Sequence, residues 1–352
     1  MITPLGINLA ENFRNMLAGK TGIVKVHESG FQKENWPLSR VSHIREGHRY
    51  ADLLNMICDS LQVNCKATEL SSERTFFIVS STKGEITALP DDPFASTRKI
   101  LAKKLAPAHP PLIISNACIS GVLAVETAVD YLESGKYDTV IAIGIDALSD
   151  FIVYGFQSLF ALSEAPSKPF DKQRTGISIG EAVGAIILTK ERPENRFSAE
   201  VLGCASSNDA NHISGPSRTG EGLVRAVERV LKHANISPDE IDFISAHGTG
   251  TLYNDDMESI AFDRLDLSHV PLNSMKGYFG HTLGAAGVIE ILATLAMMEN
   301  GIMLRSPGFE ESGTVKAVNV LDEHIERPIR YALKTASGFG GGNAAILLKN
   351  QE

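Results

Sequence analysis

The stretch PLIISNACISGVLAVETAVDYLESGKYDTVIAIGI, residues 111–145, decides the fold. Its ends, PLIISNA (111–117) and TVIAIGI (139–145), are short apolar runs that read as buried strands. Between them, residues 119–134 carry Val122, Val125, Val129 and Leu132, a spacing that turns one apolar helix face toward a sheet. Buried strands joined by a helix indicate a parallel or mixed sheet in an α/β protein. GAIILTK (184–190) continues the pattern as a further strand.

The second half repeats the same grammar, with DFISAHG (242–248), VPLNSMK (270–276), a long apolar helix and NAAILLK (343–349). Ala185-Ile186-Ile187-Leu188 and Ala345-Ile346-Leu347-Leu348 match at a shift of 160 places, as do Gly180 and Gly340. The same shift carries Cys118 into KGYFGH (276–281). That period is far too long for a solenoid. It predicts two similar halves, residues 1–190 and 191–352, divided near 191–195. Nearer the start, 38–61 reads as helical toward its end and TFFIVSS (75–81) as a strand.

Composition limits the function. At 43% hydrophobic and 21% charged residues, the 352-residue chain is globular, and its length supports a core without disulfide or metal staples. A formal charge of −9 with no basic run excludes a nucleic-acid backbone as the expected partner. Cys58, Cys65, Cys118 and Cys204 form no C-x-x-C pair, which predicts a reduced, cytoplasmic protein. MITPLGINLAENF lacks the regions of a signal peptide. The longest apolar run, 283–298, is interrupted by Glu290, so no membrane insertion is expected.

Four segments carry chemistry. In SNACISG (115–121), Cys118 sits where a strand turns into a helix. The free N–H groups and positive dipole end there favour thiolate and can hold an oxyanion. An ordinary buried cysteine is the competing reading. In ISAHGTGTLYNDDMES (244–259), His247 ends a strand, where α/β proteins place ligands. Asp255, Asp256 and Glu258 suit the helix start that follows. In LNSMKGYFGH (272–281), Lys276 and His281 precede a helix apolar on every side, and Glu290 inside that helix needs a partner, Lys276 being the nearest in sequence. In SGFGGGN (337–343), Phe339 lies among glycines ahead of a strand and can act as a gate or present its N–H. A strand in place of a helix there argues against a nucleotide loop. Cys118, His247 and His281 lack the paired spacing of structural zinc sites, so no metal is expected, whereas a thiol, imidazoles and oxyanion donors suit nucleophilic catalysis.

With these residues in view, the sequence is similar to the elongating β-ketoacyl-acyl carrier protein synthases of the thiolase superfamily. Ala117-Cys118-Ile119-Ser120-Gly121 matches the family's nucleophile motif, and His247 to Thr251 with Asp255 and Glu258 matches His-Gly-Thr-x-Thr. Lys276, Gly280 and His281 match Lys-x-x-x-Gly-His, followed by Glu290. Gly338 to Gly341 match Gly-Phe-Gly-Gly, and KPFDKQRTG (168–176) matches a further stretch. One cysteine with two histidines is the elongating pattern.

The resemblance implies a thiolase-like fold, two βαβαβαββ halves packed as an αβαβα sandwich. It implies decarboxylative Claisen condensation of a malonyl thioester with an acyl group on Cys118, in fatty acid or polyketide synthesis. The N–H groups of Cys118 and Phe339 would hold the oxyanion, His247 and His281 would stabilise an enolate, and a Lys276–Glu290 pair would steady His281. Thr249 and Thr251 would meet the phosphopantetheine arm, and Phe156 would line the acyl tunnel. No cofactor of its own is implied, since an acyl carrier protein delivers the arm, and a homodimer is implied. The alternatives are a non-condensing partner subunit of another ketosynthase, or a thiolase-like acyl-CoA transferase. Several departures stand out. The family has a strand ahead of ITPLG, so either the start is truncated or the first sheet is one strand short. The stretch from about 20 to 110 is shorter than the pattern. Ser337 replaces a second gating phenylalanine, and Ile119 is bulky enough to shorten a tunnel.

Overall fold

A computed structural model of the chain describes residues 1–42, 44–194, 196–209 and 215–351. The first half runs α1 (Leu9–Leu17), the hairpin β1 (Ile23–Ser29) and β2 (Glu34–Ser39), α2 (Arg49–Asn64), α3 (Ala67–Leu70), β3 (Thr75–Ser80), α4 (Ala95–Leu105) and β4 (Leu112–Ile114). It continues with α5 (Ser120–Glu133), β5 (Thr139–Asp146), α6 (Asp150–Ser158) and β6 (Ala182–Thr189). The second half runs β7 (Ala199–Asn208), α7 (Glu221–Ala234), β8 (Phe243–Ser245), α8 (Leu252–Arg264), β9 (Leu272–Asn273) and the short α9 (Lys276–Phe279). Then come α10 (Ala286–Asn300), the two-residue β10 (Ile302–Met303) and β11 (Ile325–Glu326), β12 (Tyr331–Gly338) and β13 (Gly342–Asn350). Of the segment 191–195, where the sequence suggested a division, Asn195 lies outside the described residues.

Two sheets repeat one design. The first has the order β4-β3-β5-β6 and the second β9-β8-β12-β13-β7. In each, the first three strands are parallel, and the next pairs antiparallel through β5–β6 or β12–β13. The shift of 160 seen in the sequence superposes β6 on β13. It also locates the difference between the sheets. Asn343 pairs with Ser207 of β7, whereas Val183, its counterpart, meets only Ile2 in a single antiparallel bridge of 2.8 and 3.1 Å hydrogen bonds. Among the described residues, the first sheet is therefore one strand short, with one residue standing where β7 stands in the second.

Helices α5 and α10 fill the layer between the sheets, each touching strands of both. Outside lie α2 and α4 over the first sheet, and α7 and α8 beyond the second. This is the five-layer sandwich that the resemblance implied. Leu283–Asn300 is long and apolar enough to cross a bilayer, but 83% of it is buried in the fold, as a core helix must be. The two central helices cross near their amino ends. A Cβ on Gly121 would sit 2.8 Å from the Val288 nitrogen, and one on Gly287 would sit 2.5 Å from the Val122 nitrogen. Only glycine permits backbones to approach so closely. The crossing brings the two loop-to-helix junctions, one with Cys118 and the other with His281, to the same place.

Candidate active site

Cys118 lies two residues before α5, at the end of β4. Ala117 turns the chain there with a φ of 44°, a region that L-residues seldom occupy. Ser120 ties the elbow down, accepting from Asn116 N at 2.8 Å and donating to Ala117 O at 2.6 Å. His247 follows β8. His281 is fixed from the other half: its N donates to Ser178 O at 2.8 Å, and Gly180 N donates to its carbonyl at 3.0 Å.

These elements converge. The ligand atoms of Cys118, His247 and His281 all lie within 4.8 Å of one another, and all three residues are buried. The imidazoles meet edge to face, with centroids 5.3 Å apart at 84°. The Leu283 N–H donates to His281 Nδ1 at 3.2 Å, so the ring proton resides on Nε2, a buried atom with no hydrogen-bond partner among the described residues. Lys276 Nζ lies 3.2 Å from His247 Nδ1. An ammonium group can only donate, so His247 too carries its proton on Nε2. Two imidazole N–H groups are thereby presented next to a sulfur. That arrangement suits an oxyanion or enolate. It does not suit a metal ion, which would need the Nε2 lone pairs that these protons occupy.

The electrostatics follow from burial. It holds both histidines well below their ordinary value, with Lys276 adding to the effect. Burial also pushes the Cys118 thiol up to about 12, against the pull of Lys276 and the Phe339 N–H. Desolvation thus favours the neutral Cys118 thiol and outweighs the pull toward thiolate expected at this helix terminus. Because the folded rings refuse a proton that the unfolded chain accepts near its ordinary value, their contribution to stability is complete above about pH 6.5 and is lost as pH falls below it. Two such rings give a slope of at most about 3 kcal/mol per pH unit. Denaturant unfolding at about pH 7.5 and about pH 5.5 should therefore show an acid-side loss that is smaller in His281→Gln. An equal loss in both proteins would contradict the assignment.

The supporting residues are buried beneath the rings. Lys276 Nζ donates to Glu290 Oε1 at 2.6 Å and to the His247 carbonyl. The pair expected from the sequence is present, but it serves His247 and not His281. Gly280, with a φ of 69°, turns the chain between Lys276 and His281, so the lysine runs under the end of β8. Asp255 and Glu258 do more than open a helix. Glu258 accepts from His247 N at 2.9 Å and Gly248 N at 2.6 Å, and Asp255 accepts from Thr249 N at 2.9 Å and Phe170 N at 2.7 Å. Burial holds the Asp255 carboxyl up at about 6, with the Phe170 N–H opposing. The helix cap itself is Thr251.

Thr249 Oγ1 and Thr251 Oγ1 lie 2.9 Å apart, beside the exposed Leu252 and Tyr253. Phe339 caps the opposite side, its backbone N–H on Cys118 and its ring stacked on Phe156 at 5.6 Å. Phe156 packs in a group with Leu148, Val153 and Leu283. Ser337 donates to Asn343 Oδ1 at 2.8 Å, so no second ring stands at the gate. Ile119 packs against β13: a Cβ on Gly342 would sit 2.8 Å from its Cδ1, in the main core. The helix start turns its side chain toward β13. Lys334 was missed by sequence reasoning. Its signal was a lone lysine within the apolar YALKTAS (331–337).

Two family models match the chain, "Beta-ketoacyl synthase, N-terminal domain" over residues 104–194 and "Beta-ketoacyl synthase, C-terminal domain" over 198–310. A putative mitochondrial 3-oxoacyl-[acyl-carrier-protein] synthase of Schizosaccharomyces pombe is 29% identical, over 99% of this chain and 96% of that protein. The 3-oxoacyl-[acyl-carrier-protein] synthase 2 of Rhizobium meliloti is 34% identical over 67% of this chain. A polyketide biosynthesis malonyl-ACP decarboxylase of Bacillus subtilis is 32% identical over 68%. The matched part spans 60% of each of these last two relatives' length. Among solved structures, a ketosynthase in complex with its chain length factor from Xenorhabdus doucetiae superposes with a TM-score of 0.86 at 27% identity, covering 99% of this chain and 96% of that one. The ishigamide ketosynthase/chain length factor, at 24% identity and a TM-score of 0.88, covers 100% and 97% and shares the fold.

Proposed function

This chain belongs to the β-ketoacyl synthase family of condensing acyltransferases, and from that premise we propose that Cys118, His247 and His281 divide a decarboxylative Claisen condensation between them. The observation that carries this reading is the pair of imidazoles whose Nδ1 atoms are both engaged by donors, leaving two Nε2–H groups beside the sulfur. In the first step the Cys118 sulfur bonds to the acyl carbon of a carrier thioester, the carrier C–S bond breaks, and the thiol proton ends on the departing carrier thiol. The Cys118 and Phe339 N–H groups hold the transient oxyanion. In the second, the malonyl C–CO₂ bond breaks and its electron pair becomes an enolate, whose oxygen accepts from both Nε2–H groups. In the third, the enolate carbon bonds to the acyl carbon, the bond to Cys118 breaks, and the thiolate takes a proton from solvent.

Thr249 and Thr251 at the rim support a path for the phosphopantetheine arm. Phe156 under Phe339 supports an acyl slot behind a gate. An acyl carrier protein is the partner, and a reducing compartment such as the cytoplasm suits the four free cysteines. Mixing the protein with acyl- and malonyl-carrier protein tests the reading. Ketoacyl product and CO₂ in equal amounts are expected; product without CO₂, or neither, would overturn it.

A homodimer completes the proposal. β4 is an edge strand whose Leu112, Ile113 and Ile114 are only half-buried, a row of unpaired backbone groups that a second copy can cover. Scattering mass in solution is expected at twice the chain mass for the parent and to fall toward one chain mass for Ile113→Lys. A monomeric parent would contradict this part.

A further inference from the structure

Lys334 lies in the middle of β12, fully buried, and the steps above do not use it. Its Nζ donates to Ser245 O at 3.1 Å and Ala246 O at 3.2 Å, and it is paired with the second oxygen of Glu290. Lys276 takes the next carbonyl, that of His247, and the first Glu290 oxygen. Three successive carbonyls at the end of β8 are thus staked by two ammonium groups that share one acid.

The other acid here is Glu258. Its oxygens accept from His247 N, Gly248 N, Asn254 Nδ2 at 3.0 Å and Thr335 Oγ1 at 3.1 Å. Burial raises the Glu258 carboxyl above its ordinary value, and the Gly248 and His247 N–H groups with the charges of Lys334 and Lys276 pull it back toward the carboxylate. Two buried cations therefore face two buried anions under the imidazoles. The remaining charged groups are farther out. Asp255 lies beside Arg174 at 3.8 Å on the α8 side, and Asp146 at the end of β5 is paired with Lys83 at 2.8 Å. Without Lys334, Lys276 and Glu290 would balance each other and Glu258 would stand alone, directly behind the place where negative charge develops.

We propose that Lys334 is a positioning residue of this site, the second buried cation that fixes the carboxyl end of β8 and balances Glu258, so that the imidazole pair faces an incoming enolate without a negative field behind it. Its charge is also among those that hold both histidines below their ordinary range. Burial lowers the pKa of Lys334 itself, and Glu290 opposes that effect. The consequence for catalysis rests on the condensation reading; the effect on the rings does not.

The test is Lys334→Met in the full-length chain, with two readouts. One is kcat and KM for malonyl-carrier decarboxylation across pH; the other is the ring resonances of His247 and His281 followed by NMR. The expected result is a kcat lowered about tenfold or more with KM within about threefold, and rings that begin to titrate at a higher pH than the parent's. Lys334→Arg, which keeps the charge, should retain the parent's titration. If the Met variant does not fold, Lys334→Gln keeps a donor for the two carbonyls and carries the same expectation. Ring titration and kcat like the parent's, in either neutral variant, would overturn the inference. A parent with no decarboxylation at all would instead sink the condensation reading and leave the ring titration to decide the role of Lys334.

Discussion

Cys118→Gln is expected to form no acyl adduct and no ketoacyl product, yet to release CO₂ from malonyl-carrier protein at a rate equal to or above the parent's. The division of labour requires this. The sulfur is needed only to hold the acyl group, while decarboxylation needs only the two Nε2–H groups, which the substitution leaves in place. Adding His281→Ala to this variant should lower CO₂ release by on the order of 10²–10³, the usual effect of losing one oxyanion donor. A Cys118→Gln protein that folds but releases no CO₂ would show that the sulfur takes part in both halves of the reaction.

Glu290→Gln is expected to produce the largest loss of stability of any single change in the site. Glu290 is nearly solvent-free and holds two lysines that are equally buried. Removing its charge leaves two ammonium groups side by side with only Glu258 to answer them. Breaking one partner out of a buried ion pair typically costs about 3–5 kcal/mol. Denaturant unfolding should show a loss of that order, accompanied by at least about a hundredfold fall in decarboxylation as the His247 carbonyl loses its anchor. A loss below about 1 kcal/mol would mean that the lysines find other partners or discharge.

Much of the site could be read along the chain because each piece is local. The elbow before α5, the histidine after β8 and the loop before α10 each show an apolar element ending in a small-residue turn, and a few neighbouring residues suffice to express that pattern. The period of 160 also follows from the apolar runs of strands β6 and β13, the latter buried on both faces over most of its length. What escaped was of two kinds. Some elements had signals that went unread: α7 carries Leu223, Val227, Val230 and Leu231 on one buried face, and β7 alternates more weakly because its position leaves it partly exposed. Other features are set only by the assembled fold. That Lys276 serves His247, 29 residues away in the chain, depends on where β8 ends. Lys334 interrupts an apolar strand for a reason visible only once Glu290, from another helix, arrives next to it. The packing of Ile119 against Gly342 belongs to the same class, since it needs β13 to arrive beside the elbow.

Condensation here depends most on one sulfur carrying the growing chain to a carbanion made beside it, and a single-turnover experiment examines that directly. The parent is charged with a labelled acyl thioester, the tryptic peptide containing Cys118 is weighed, and malonyl-carrier protein is then added. The adduct should appear on Cys118 alone and disappear at the rate at which labelled ketoacyl product and CO₂ form. Label on any other residue, or an adduct that persists while product accumulates, would contradict the account.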